Sequence, residues 1–110
     1  MKKLIILLLF VPLISFGQTP DEHYDSAVGK FQTGDYSGAL YHWNKLIELF
    51  PDFPDNYYNR GMTKGKLKDI YGEIRDYTKA IELNPDYASA YYNRGNAKGG
   101  NGTLFICTRK

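Results

Sequence analysis

The 110-residue chain is poor in cysteine: Cys107 stands alone. One cysteine cannot close an internal disulfide, so the fold must be held by packing. Cys107 reads as an incidental thiol near the end of the chain, with pairing between two chains as the alternative. Metal-ligand spacings such as C-x-x-C or H-E-x-x-H are absent, and no metal or cofactor is expected. An excess of one charge sign is also lacking, with 14 basic and 12 acidic residues. A nucleic-acid partner would call for a basic footprint, and an anionic membrane surface for a polybasic segment. The longest apolar run, Leu4–Phe16, is 13 residues broken by Pro12, short of the roughly 20 that a helical span needs. The strict apolar/polar alternation of half-buried strands is missing too.

What the N-terminus does have is a basic start at Lys2 and Lys3, the apolar run, and small residues at Ser15 and Gly17. This is the pattern of a secretory signal peptide, residues 1–17, with cleavage expected after Gly17 and no stable membrane insertion afterwards. Removing Lys2 and Lys3 leaves 12 basic residues against 12 acidic ones. The expected destination is outside the cytoplasm, periplasmic or extracellular.

The rest of the chain is organised by repetition. "YYNRG" occurs at Tyr57–Gly61 and again at Tyr91–Gly95, 34 positions apart. "LFPDF" (Leu49–Phe53) and "LNPDY" (Leu83–Tyr87) keep the same offset, as do "DYSGAL" (Asp35–Leu40) and "DIYGEI" (Asp69–Ile74). Pro20, Pro54 and Ala88 fall on the same grid. A fixed period in this range marks a repeat architecture. The units are 20–53, 54–87 and a partial third, 88–98, followed by a non-repeat tail, 99–110.

Each unit reads as two helices. Thr19-Pro20-Asp21-Glu22 is a capping-box signature. Gly34-Asp35 makes the turn, with Asp35 capping the second helix. Tyr36, Leu40, Trp43, Ile47 and Phe50 line the expected buried face of that helix. In the second unit Ile70, Ile74, Tyr77 and Ile81 recur at spacings of four, three and four, which is one helix face. Phe50-Pro51 and Asn84-Pro85 end the units, because a residue before proline avoids helical backbone. Five helices and no strand are expected.

The 34-residue helix-turn-helix period resembles the tetratricopeptide repeat. The family's first aromatic falls on Tyr57 and Tyr91, with His23 in the first unit. Its glycine falls on Gly61 and Gly95, with Ala27 in the first unit. The later alanine is Ala39, the large aromatic Trp43 and Tyr77, and the closing proline Pro51 and Pro85. The resemblance implies an all-α, right-handed solenoid of antiparallel helix hairpins. Some positions depart from it. Ser26, Arg60 and Arg94 take the leucine place, Lys30, Lys64 and Lys98 the tyrosine place, and Glu73 the small-alanine place. Glu73 is expected either to pair with Arg60 or Arg94 or to swing out to solvent.

Stacked repeats present a concave surface lined by the first helix of each unit. By resemblance that lining is Tyr24, Asp25 and Val28, then Asp55, Tyr58, Asn59 and Met62, then Ser89, Tyr92, Asn93 and Asn96. The implied function is non-catalytic binding of a partner protein's peptide or helix. A family subclass grips C-terminal carboxylates with lysine, asparagine and arginine. Only Asn59 matches that set here, so the groove reads as neutral and aromatic. Two other readings compete: a homo-oligomer assembled through the uncapped third unit, and a truncated repeat protein with little function of its own. For catalysis only His23, His42 and Cys107 present themselves. His23 holds a packing position, His42 is expected to be exposed, and nothing assigns the three mutually placed roles.

Overall fold

The structure, a computed structural model, describes residues 17–99. Except for Gly17 and Gly99, the expected signal segment and tail lie outside that range. Five helices follow one another: α1 (Pro20–Gln32), α2 (Tyr36–Leu49), α3 (Pro54–Lys66), α4 (Ile70–Leu83) and α5 (Ala88–Lys98). The principal contacts join consecutive helices, so α1/α2 and α3/α4 are hairpins and α5 lies on α4.

Local chemistry sets the boundaries. The Thr19 hydroxyl accepts from the Glu22 amide at 3.2 Å while the Glu22 carboxylate accepts from the Thr19 amide at 3.0 Å, satisfying two otherwise orphaned donors. Pro20 and Pro54 open α1 and α3, where a missing N–H costs nothing. Asp35 and Asp69 cap α2 and α4, accepting from the Gly38 and Gly72 amides at 3.0 Å. The two hairpin turns match position for position. Asp35 N–H donates to Lys30 O and Asp69 N–H to Lys64 O, at 2.8 and 2.9 Å. Each turn needs one left-handed residue, which is Gly34 (φ +88°) in the first and Lys68 (φ +69°) in the second.

The core has two clusters. Ala27, Ala39, Trp43 and Leu46 fill the first hairpin, with Val28 and Phe31 against them. Tyr57, Ala80, Ile81 and Ala90 join the second hairpin to α5. A side-chain carbon added at Gly61 would stand 2.8 Å from the Tyr77 ring, so the glycine of "YYNRG" lets α3 approach α4. The arginine of the same string is a fastener. Arg60 makes two hydrogen bonds, at 2.8 and 2.9 Å, to the buried carboxylate of Asp76 on α4, and a third, at 2.9 Å, to Asn44 on α2. Lys64 adds an ion pair to Asp76 at 3.2 Å. Arg94, one period on, bonds Thr78 at 3.1 Å.

Four expectations are overturned. Glu73 pairs with neither Arg60 nor Arg94 and does not swing free; it accepts from the Tyr77 hydroxyl at 3.1 Å, because Asp76 already holds Arg60. His42 is buried, its Nδ1 2.9 Å from that of His23. Phe50 is 47% exposed, since the helix ends before it and it becomes part of the link. Tyr91 does not occupy a core position like Tyr57: it is 45% exposed against 8%, because no second helix of its own unit covers it among the described residues.

Candidate functional site

The face built by α1, α3 and α5 carries two cavities that share a wall. The first, about 260 Å³, is lined by Tyr24, Val28, Phe31, Gln32, Trp43, Asn59 and Met62. The second, about 420 Å³, is lined by Phe31 and Met62 again and by Gly65, Lys66, Lys68, Glu73, Tyr77, Asn93 and Asn96. Phe31 and Met62 divide them, so the two form a run across the stacked repeats.

Position in the repeat dictates what each side chain does. Tyr24, 47% exposed, meets the Trp43 ring edge-on at 5.7 Å. Val28 is half-buried and touches the first core cluster. Asn59 is half-buried, and its backbone carbonyl accepts from the Thr63 hydroxyl at 2.9 Å. Tyr58 is held on three sides: it stacks on Tyr87 at 5.0 Å, leans on Tyr77 at 5.7 Å, and its hydroxyl accepts from the Asn93 amide at 2.9 Å. Tyr58 is therefore part of the packing rather than a free anchor. Asn93 ties α5 to α3 through the same bond. Asn96 is exposed at the edge of the second cavity.

Six expected lining residues thus border the cavities: Tyr24, Val28, Asn59, Met62, Asn93 and Asn96. Asp25, Asp55, Ser89 and Tyr92 border neither, although all four are exposed and Tyr92 is 70% so. Asp55 lies beside the Tyr87 hydroxyl, which burial and that carboxylate both make harder to ionise. Phe31, Trp43, Glu73 and Tyr77 also line the cavities, which the repeat pattern does not announce. Helix periodicity places Trp43 and Tyr77 in the core, and a side chain can pack on one edge and face a cavity with another.

Electrostatics distinguish the two cavities. The first holds no charged group. The second holds Glu73, whose carboxyl is pushed up from its ordinary pKa by burial, with the Tyr77 hydrogen bond opposing. Burial, and then the Glu73 charge beside it, drive the Tyr77 phenol far above its ordinary value. Tyr77 thus stays a hydrogen-bond donor at any physiological pH. No group of three or more metal-ligating side chains occurs among the described residues, and no described helix is long and apolar enough to cross a membrane. The arrangement offers aromatic surface, amides, one carboxylate and the two lysines Lys66 and Lys68.

Comparison with known proteins agrees with the geometry. A family model described as TPR repeat matches residues 30–68 and 74–102, and one described as Tetratricopeptide repeat matches 54–87. No curated protein matches. Among solved structures, the chain is similar to the TPR2B-domain:pHsp70 complex of yeast Sti1. The TM-score is 0.75 at 24% identity, covering 80% of this chain and 70% of that one. At that identity the likeness speaks for the fold.

Proposed function

The chain belongs to the tetratricopeptide-repeat family, and from that premise we propose that it is a non-catalytic module taking a peptide or helix of a partner protein in the groove of α1, α3 and α5. The observation carrying this is the pair of adjoining cavities with Phe31 and Met62 as common wall. An extended segment fits a run of pockets at the repeat's own spacing, and aromatic walls with amide partners suit a peptide. The Sti1 structure is itself a complex with pHsp70, which supports a partner protein as the class of ligand. From the basic start at Lys2 and Lys3, the Leu4–Phe16 run and the small residues Ser15 and Gly17 we also propose that the protein acts outside the cytoplasm, released by cleavage after Gly17. Intact-mass measurement of protein from the native host checks this: a chain retaining Met1 in the membrane fraction would contradict it.

The groove is tested by capture from host extract with wild type and with Tyr24→Ala and Asn59→Ala, followed by titration of the captured partner. Each variant should weaken binding by about 1–2 kcal/mol, as interface anchors do. Loss of capture only in step with loss of folding would remove the groove from consideration. One observation favours a second reading. Tyr91 and Tyr92 are both exposed on α5, where a second copy of the chain would find apolar surface. Sedimentation of the purified protein separates the two, since a monomer excludes self-assembly.

A further inference from the structure

We propose that the larger cavity is a socket for a cationic side chain, a lysine or arginine of the bound peptide, with Glu73 as its counter-ion. This rests on the groove reading above. The repeat supplies its own control. At the positions of Gly65 and Glu73, the first unit has Phe31 and Ala39. There a large apolar side chain stands opposite a fully buried small one. The second unit inverts the pair, placing a glycine opposite a carboxylate.

Gly65 is the penultimate residue of α3, and its backbone is not left-handed, so conformation does not demand glycine. A side-chain carbon there would lie 2.6 Å from the Glu73 carboxylate, the far end of a flexible side chain, so it would displace the carboxylate rather than disrupt the helix packing. Glycine thus leaves the Glu73 carboxylate its place against α3.

The molecule treats its buried carboxylate, Asp76, differently. Asp76 receives Arg60 and Lys64. Glu73 receives one hydrogen bond, at Oε2 from Tyr77, while Oε1 takes none from a described residue. A partly desolvated carboxylate without a cation is costly to keep ionised, and a bound cation removes that cost. The remaining walls suit such a ligand. Phe31 and Met62 can cover an aliphatic stem, and the amide oxygens of Asn93 and Asn96 can accept from an ammonium or guanidinium. Lys66 and Lys68 also line the cavity and are exposed; they oppose the incoming charge.

The test uses the full chain with labelled glutamate carboxyl carbons, followed by NMR. The probes are Nα-acetyl-lysine methylamide, its arginine counterpart and the uncharged norleucine isostere. Lysine and arginine probes should shift Glu73 and the Asn96 amide saturably. Norleucine should bind about tenfold more weakly, equivalent to about 1.4 kcal/mol. Glu73→Gln should abolish the preference for charge, Gly65→Ala should weaken it by crowding the carboxylate, and Lys66→Ala with Lys68→Ala should strengthen it. Norleucine binding as well as lysine would make this an apolar socket and overturn the proposal, as would the absence of any saturable shift at Glu73. Neither outcome touches the groove itself, which is scored by Tyr24 and Asn59 in the other cavity.

Discussion

At the scale of single residues, "YYNRG" divides its labour by position. Tyr57 is core, Tyr58 packs against Tyr77 and Tyr87, Arg60 fastens three helices, and Gly61 lets α3 approach α4. The fastener depends on Asp76, 4% exposed. Asp76→Ala leaves Arg60 and Lys64 without their partner and should cost about 3–5 kcal/mol of stability, read by urea denaturation. A pH effect belongs at this scale as well. His23 and His42 face each other through Nδ1 at 2.9 Å, so one ring must donate and the other accept, and both cannot be doubly protonated there. Burial, then the charge of His23, then that of Lys30 lower the His42 pKa from 6.5. A lowered folded-state pKa means that the unfolded chain takes up the proton more readily. The stabilising contribution is thus complete above pH 6.5 and is lost as pH falls through the folded value. Melting curves between about pH 7.5 and 5.5 should show this decline in the wild type and a smaller one in the double variant His23→Phe, His42→Leu.

At the scale of elements, the helices are ruled by their ends. Both hairpin turns reuse the same backbone hydrogen bonds and the same aspartate cap, and differ in the residue at the left-handed position. Gly34 adopts φ +88° without strain, whereas Lys68 holds a side chain at φ +69°. A left-handed conformation costs an ordinary L-residue about 1–2 kcal/mol, partly offset by the extra unfolded freedom of glycine. Lys68→Gly should therefore stabilise by about 0.5–1 kcal/mol, and Gly34→Ala should destabilise by a similar amount. Thermal melts of the two variants check the pair, and equal signs would refute the account. α3 and α5 begin without a side-chain cap, so these two helices rest on tertiary packing at their starts.

At the scale of the whole molecule, a stack of hairpins is stabilised by each unit and by its contact with the next. Residues in equivalent positions therefore contribute differently, depending on whether another helix packs over them. Tyr57 packs with Ala80 and Ile81 of α4, and its hydroxyl donates to the Pro51 carbonyl at 2.8 Å. Tyr91 is half open to solvent, with the Arg94 guanidinium over its ring at 5.5 Å. Tyr57→Ala should cost about 3 kcal/mol, while Tyr91→Ala should cost less than half as much. Denaturation of both variants measures the difference, and equal losses would mean that α5 is covered in solution.

The period of 34, the five helices, the Thr19 and Asp35 caps and the proline stops were legible because they are local. Caps, turns and helix faces depend on residues a few positions apart, and the sequence carries those spacings directly. Six of the residues that the tetratricopeptide resemblance implied for the first-helix face border the two cavities. The rest depended on which side chains meet across helices. Phe31 and Gly65 read as ordinary helix positions until α1, α3 and α4 come together around Glu73. His42 reads as exposed because α2 alone does not say that His23 closes over it. Arg60 bonds Asp76, while the Glu73 carboxylate lies against Gly65. Pairing between charged groups is decided by desolvation and geometry in three dimensions, and no spacing along the chain encodes that choice.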